Sequence, residues 1–166
     1  LGTPQLPPIP SRQVIRQEQA LPLSHQRNLI LLPAPTPRWP GGLLAFEESL
    51  GLLMSDKFFS AHLCTSAWAE ANRSSTEEER RHFYDCLMAP MARKVDLIVE
   101  RLEELSIRTI APAHGPAIEA SWRSLLNDYH RWGRVTSSPA STWFCYSPAP
   151  TATPRRLPMP WHGVSV

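Results

Sequence analysis

The sequence has too few cysteines, in the wrong arrangement, for a disulfide framework or a zinc knuckle. It contains three, Cys64, Cys86 and Cys145, an odd number without CxxC spacing. That usage favours reduced thiols inside a cell. We interpret Cys64 and Cys86 as small buried hydrophobes, with redox pairing of the two thiols as the alternative.

Long apolar runs and an excess of one charge are missing as well. No run approaches the roughly 20 apolar residues of a membrane helix, so no membrane insertion is expected. The formal net charge is only +2, from 17 basic and 15 acidic side chains. This balance indicates neither a nucleic acid nor an acidic membrane as a partner. With 166 residues, the chain is long enough for one domain with a core.

Proline, in contrast, is abundant and unevenly placed. The 18 prolines exceed the average share of about 5%. They crowd into three stretches, residues 4–10, 33–40 and 139–160. We therefore divide the chain into an irregular segment at 1–27, an ordered domain at 28–133 and a Pro/Ser-rich disordered tail at 134–166, whose composition cannot bury a core.

The hydrophobic pattern of the middle region predicts strands first. Residues 28–32 form an apolar run that Pro33 ends, which is typical of a buried strand. Residues 43–46 and 50–54 predict a hairpin whose turn lies at 47–49, although the turn has no Asn-Gly signature.

Helices and one more strand follow. Thr76 and Glu79 have the spacing of a capping box, which predicts a helix from 76 to about 88. A second helix follows from 91 and carries an amphipathic stripe of Val95, Ile98, Val99, Leu102 and Leu105. Residues 107–110 predict a strand. A last helix is expected over 118–132, with Gly133 as its stop.

Two loops at strand ends are candidate functional sites. The strand at 107–110 runs into a Pro-Ala-His-Gly-Pro loop that holds His114, and such loops commonly hold ligands in α/β proteins. A second loop, residues 55–62, contains Asp56 and Lys57. The alternatives are a polar turn histidine in the first loop, and a solvated loop with two phenylalanines in the core for the second.

Several segments of the chain resemble the metallo-β-lactamase-like core of the flavodiiron proteins, in the A-type form of oxygenic phototrophs. The likeness covers roughly residues 24–133 and rests on the order and spacing of five motifs. They are PTPRWP at 35–40, SDKFFSAHLC at 55–64, FYDCLMAP at 83–90, IAPAHGP at 110–116 and YHRW at 129–132. The resemblance implies an α/β fold, a partial metallo-β-lactamase-like αββα sandwich with disordered ends.

The resemblance also implies a chemistry. Intact family members hold two irons through histidines and carboxylates, which suit such cations, and reduce oxygen to water with electrons from bound FMN. The family's first ligand cluster, His-x-Glu-x-Asp, is expected upstream and does not occur in this sequence. Three later ligands are expected to be His, Asp and His.

The residues at those three positions are Arg38, Lys57 and His114. Arginine has no lone pair to donate, and lysine keeps its proton unless it is buried at a considerable cost. We therefore expect a degenerate site without metal, as in the divergent A-type partner subunit of phototrophs. Moving the register by one residue places Asp56 in the ligand position, but then the neighbouring motif residues lose their alignment.

The other pocket candidates keep two interpretations each. Arg38 is otherwise a surface residue of a proline loop. Trp39 is expected to pack under the pocket rather than to stack on flavin. His62 is as readily a core or interface histidine as a chemical group.

The functional prediction is a subunit or fragment of a flavodiiron oxidoreductase of photosynthetic electron transport. We expect no cofactor in this fragment, which is predicted to be inactive alone, and a homo- or hetero-oligomer with another flavodiiron subunit. The electron donor would be NAD(P)H or ferredoxin, and the location a chloroplast or the cyanobacterial cytoplasm. The alternative is a non-catalytic interaction or scaffold fragment of the same superfamily. A hydrolase is set aside because the sequence has no His-x-His-x-Asp-His run.

Overall fold

The computed structural model describes residues 14–24 and 26–136, and most of the predicted tail lies outside them. Five strands form one sheet in the order β1-β2-β3-β4-β5. Neighbouring strands are antiparallel except β4 and β5, which are parallel. The strands are β1 Gln19–Ser24, β2 Arg27–Pro33, β3 Leu43–Glu47, β4 Leu52–Asp56 and β5 Thr109–Pro112, and the helices are α1 Glu77–Leu87, α2 Ala92–Glu103 and α3 Trp122–Thr136.

One core joins the sheet to the helices. Buried side chains of β2 to β5 and of all three helices form a single hydrophobic cluster. In α2 the predicted stripe is confirmed, because Val95, Val99 and Leu102 are buried and Ile98 packs against them. The described residues thus form a sheet with a helical layer, which confirms the α/β class.

The predicted strands and the hairpin are confirmed, with shifted ends. β3 and β4 pair as Ala45 with Met54 and Glu47 with Leu52. The turn between them closes at Gly51, whose φ is +64°. A Cβ atom at this position would lie 2.8 Å from the carbonyl oxygen of Ser106. The turn therefore requires glycine both for its left-handed backbone and for the close approach of Ser106.

The sheet begins earlier than predicted. The segment 1–27 was expected to be irregular, yet β1 pairs with β2, from Gln19 opposite Leu31 to Ser24 opposite Arg27. Nearly all β1 side chains are exposed, so the strand has no buried stripe to reveal it. Pro22 fits because β1 is an edge strand, and an edge position tolerates a missing N–H donor.

The predicted capping box is wrong in its details. The helix does begin at Glu77, but the Thr76 side chain makes no cap hydrogen bond. Its hydroxyl instead donates to Glu70, at 2.7 Å, and accepts from the Arg80 Nε. Asn72 caps the short 3-10 turn that precedes the helix. Hydrogen bonds with Glu70 and Arg80 take the place of the predicted cap.

Gly133 was predicted to end the last helix, but it does not. Helix α3 continues to Thr136. A Cβ atom on Gly133 would lie 3.3 Å from the Tyr84 hydroxyl. Glycine therefore serves the close contact between α1 and α3. Burial raises the pKa of Tyr84 to about 12.

The two described cysteines are exposed, which corrects their interpretation as buried hydrophobes. Cys86 lies off the buried face of α1, which consists of Arg80, Phe83, Tyr84 and Leu87. Its sulfur is 3.7 Å from the His82 Nε2, on the same helix. Within the described part of the chain, no helix has the length and apolar character to cross a membrane.

Candidate functional site

The two predicted site loops lie side by side because they follow neighbouring parallel strands. The loop after β4 holds Lys57 and the loop after β5 holds His114, and parallel strands end at the same edge of a sheet. Two backbone hydrogen bonds join the loops. The Ala113 N–H donates to the Asp56 carbonyl at 2.7 Å, and the Ala61 N–H donates to the His114 carbonyl at 3.0 Å.

The Lys57 ammonium group occupies the centre of the site. Its Nζ lies 3.3 Å from the His114 Nε2, 3.6 Å from the Asp56 Oδ1 and 5.2 Å from the centre of the Trp39 ring. An ammonium group only donates, so Nε2 accepts and its lone pair is engaged. The carboxylate and the aromatic face both attract the ammonium group. The Lys57 side chain is 20% exposed.

Arg38 is not brought into this cluster. It is exposed on the proline loop, and none of the described residues makes a hydrogen bond or an ion pair with its side chain. Trp39, its neighbour, is held by mutual backbone hydrogen bonds with Thr36 at 3.0 and 3.1 Å. The loop therefore presents the Trp39 ring, rather than the Arg38 guanidinium, to Lys57.

His62 borders the cluster. It is exposed, with its ring centre 4.7 Å from that of Phe83 and 6.1 Å from that of His114. Phe83 itself is buried and lies 6.4 Å from the His114 ring. His62 and Phe83 thus place two aromatic rings next to His114. Phe58 and Phe59 are buried, which agrees with the alternative interpretation of two phenylalanines in the core.

The residues present do not fit a two-iron site. Among the described residues, no group of three or more His, Cys, Asp and Glu side chains is arranged to hold a metal ion. Of the three positions at which the resemblance implies metal ligands, only His114 carries a ligand type, and its Nε2 faces an ammonium group. A protonated amine or guanidinium cannot coordinate a metal. The site is instead arranged to hold the cation of its own lysine.

Beneath the loops lies a buried ion pair that the sequence did not reveal. The Arg80 and Glu70 side chains are 0% and 2% exposed, and the Arg80 Nη2 lies 3.1 Å from the Glu70 Oε2. Burial lowers the pKa of Arg80, and the Glu70 carboxylate opposes that shift. The only sign of this ion pair in the sequence was the position of Arg80. It has helical spacing to Phe83, Tyr84 and Leu87, the apolar face of α1.

Phe59 is a strained residue in the loop after β4. Its φ is +62°, which is unusual for a bulky side chain. Its N–H donates to the Tyr129 hydroxyl at 2.9 Å, and its carbonyl accepts from Arg80. Burial raises the pKa of Tyr129, so this hydroxyl stays a neutral acceptor.

Comparison with known proteins agrees with this architecture. Diflavin flavoprotein A 4 of Nostoc sp. strain PCC 7120 is 36% identical over 120 residues, which cover 72% of this chain and 21% of that protein. The protein of the same name from Synechocystis sp. strain PCC 6803 is 37% identical over 120 residues, covering 72% and 20%. No family model matches the chain.

Solved structures of flavodiiron proteins are also similar to this chain. The metal-soaked Flv1 flavodiiron core of Synechocystis sp. PCC 6803 superposes with a TM-score of 0.69 at 34% identity, over 74% of this chain and 30% of that one. The chain is homologous to the flavodiiron proteins. Rubredoxin oxygen:oxidoreductase of Desulfovibrio gigas, at 18% identity and a TM-score of 0.66 over 74% of this chain and 32% of that one, shares the fold. This flavodiiron homologue spans about a fifth of the length of the curated relatives it matches.

Proposed function

We propose that the chain is a segment of a flavodiiron oxidoreductase subunit whose diiron pocket is degenerate. In this proposal the whole protein contributes to the reduction of oxygen to water in photosynthetic electron transport, with NAD(P)H or ferredoxin as electron donor. It works beside another flavodiiron subunit that has an intact iron site. The cyanobacterial origin of the relatives supports this setting and is consistent with a cyanobacterial cytoplasm or a chloroplast.

The contact between Lys57 and His114 carries the proposal. The Lys57 Nζ donates to the nitrogen that would otherwise offer a lone pair to a metal. A ferrous ion in the same space would also meet a fixed positive charge about 3 to 4 Å away, and like charges at that range repel strongly where water is partly excluded. FMN and two irons are implied for intact family members. The residues that the structure describes include no ligand set for the irons.

Elemental analysis after anaerobic loading with ferrous iron tests the proposal. It is best done on the full-length gene product that contains this segment. We expect no stoichiometric iron in the natural protein. The double variant Arg38→His/Lys57→Asp, which restores ligand types at both positions, should bind more iron. The matched control is Lys94→Asp, a lysine-to-aspartate change on the solvent side of α2, which should bind none.

One outcome would overturn the proposal directly. Roughly two iron atoms per natural chain, the occupancy of a two-metal site, would show that Lys57 does not fill the pocket. The protein would then be an oxygen-reducing enzyme in its own right. Iron binding by the Lys94→Asp control equal to that of the double variant would show adventitious binding instead.

A non-catalytic scaffold role is the second candidate, favoured by one observation. The site loops are tied by backbone hydrogen bonds and a buried ion pair, so their geometry does not depend on a metal. Oxygen consumption distinguishes the two roles. An oxidoreductase subunit should increase the rate of a flavodiiron partner in the presence of NAD(P)H, whereas a scaffold should bind the partner and leave its rate per partner unchanged.

A further inference from the structure

Arg80 connects the two loops that carry Lys57 and His114. Its Nη1 donates to the carbonyl of Phe59 in the loop after β4, and its Nη2 lies 3.2 Å from the carbonyl of Pro116 in the loop after β5. Phe59 follows Lys57 by two residues, and Pro116 follows His114 by two residues. One guanidinium thus holds both loops at equivalent points.

The geometry of arginine suits this bridge. Its planar group offers five donors at fixed angles, and here three of its nitrogens are in use, since Nε also donates to Thr76 at 3.2 Å. Glu70 balances the charge, because its Oε2 accepts from both Arg80 and Thr76 while its Oε1 accepts from Ser121. Each guanidinium nitrogen of Arg80 and each carboxylate oxygen of Glu70 thus has a hydrogen-bond partner, and networks satisfied in this way specify one geometry.

The bridge also holds a strained conformation. Phe59 has a positive φ. Both of its backbone polar groups are hydrogen-bonded, the N–H to the Tyr129 hydroxyl and the carbonyl to the Arg80 guanidinium. A strained residue persists only where its surroundings determine it. If Arg80 is lost, the loop can relax at Phe59, and Lys57 moves with it.

We propose that Arg80 is a positioning residue, which sets the placement of Lys57 against His114 by holding the Phe59 and Pro116 carbonyls. Arg80 touches neither side chain of that pair itself. The inference rests on the proposed function, because it concerns the same pocket. It assigns to α1 the role of fixing a pocket that is formed by the ends of β4 and β5.

Nuclear Overhauser effects measure this placement directly. In the full-length gene product with its natural sequence we expect a cross-peak between the Lys57 ε-methylene protons and the His114 Hε1 proton. A cross-peak between the Tyr84 and Trp132 rings, whose centres are 5.3 Å apart in the core, reports on the global fold.

The main variant is Arg80→Met/Glu70→Gln, which leaves no unpaired buried charge and so protects folding. We expect the Lys57–His114 cross-peak to be lost and the Tyr84–Trp132 cross-peak to remain. Arg80→Lys keeps the charge but cannot span both carbonyls, so it should lose the first cross-peak too. Arg101→Met, an exchange at a partly exposed arginine that contacts neither loop, should keep both.

Each contrary outcome has a definite meaning. If the natural chain shows no Lys57–His114 cross-peak, the proposed lysine-filled pocket fails. If the natural chain shows it and Arg80→Met/Glu70→Gln retains it, the positioning role of Arg80 fails while the pocket stands. Retention in Arg80→Lys would show that a buried charge suffices, which overturns the bridging geometry.

Discussion

The structure at the two ends of strand β4 is held by hydrogen bonds of different range. At the hairpin end, Glu47 is buried and accepts hydrogen bonds from Arg27, from Ser49 and from the backbone N–H of Leu50. Two of these partners lie within three residues of Glu47. At the site end, the Phe59 carbonyl is held by Arg80, which lies 21 residues away. One end is organised mainly by its own turn, and the other by distant parts of the chain.

This contrast explains what each end can do. The Glu47 carboxylate accepts most of its hydrogen bonds from its own turn, so the hairpin end depends on few other elements. These hydrogen bonds stabilise the connection between β3 and β4. The site end combines the loops after β4 and β5 with helix α1, so it exists only in the complete fold.

The largest effect should come from cutting the long-range network. Arg80→Met leaves the Glu70 carboxylate buried without its ion-pair partner, which typically costs about 3–5 kcal/mol of unfolding free energy. Urea unfolding measures it. Arg101→Met, at a side chain that is 34% exposed, should cost at most about 1 kcal/mol. Equal losses in the two variants would remove the distinction between the site end and the surface.

A smaller loss is expected from the turn at the hairpin end. Gly51→Ala forces a side chain onto a backbone with a φ of +64° and brings the new Cβ within 2.8 Å of the Ser106 carbonyl. Strain of this kind costs about 1–3 kcal/mol. Gly41→Ala, where a Cβ meets nothing within 4 Å, is the matched control in the same urea measurement. A Gly51→Ala protein as stable as Gly41→Ala would mean that this turn is not fixed.

The smallest effect is a change in pH dependence. The hydrogen bonds from Arg27 and Ser49, together with the Leu50 N–H, lower the pKa of Glu47 from 4.5 to about 2. A lowered pKa stabilises the fold above the unfolded value, and that contribution is lost as the pH falls from 4.5 through about 2. Glu47→Gln should therefore lose less stability over this window than the natural chain.

The neighbouring residue supplies the control for that measurement. Glu48 is exposed in the same turn, so Glu48→Gln should retain the acid sensitivity of the natural chain in urea unfolding at several pH values. If Glu47→Gln and Glu48→Gln lose stability in parallel, the hairpin end is not held by the Glu47 carboxylate. The two ends of β4 would then differ less than their geometry indicates.

Much of the fold could be predicted because its signals are local. Alternation and apolar runs located β2, β3 and β4, and the stripe through Val95 and Val99 located α2. The errors fall where such local signals are missing. Strand β1 has almost no buried face, and Gly133 lies within a helix because Tyr84 packs against it. Neither feature leaves a periodic signal in the sequence.

The site could be predicted only in part. The spacing of the resemblance identified Lys57 and His114 and their neighbours Trp39 and Asp56, and the fold brings these four together. It also pointed to Arg38, whose side chain contacts none of the described residues through a hydrogen bond or an ion pair. Spacing along a chain gives the position of a residue on its loop, but the direction of a long exposed side chain depends on its surroundings.

By itself, the sequence indicated the family, the order of β2 to β5 and of the three helices, and the presence of basic side chains where metal ligands are expected. The elements follow from hydrophobic periodicity, whereas the family and the basic positions follow from the resemblance of motifs along the chain. Only the tertiary structure decided that the Lys57 ammonium faces the His114 Nε2 and that Arg80 joins the two loops. Both contacts link residues 21 or more positions apart, and such contacts are fixed by packing of the whole core rather than by any local pattern.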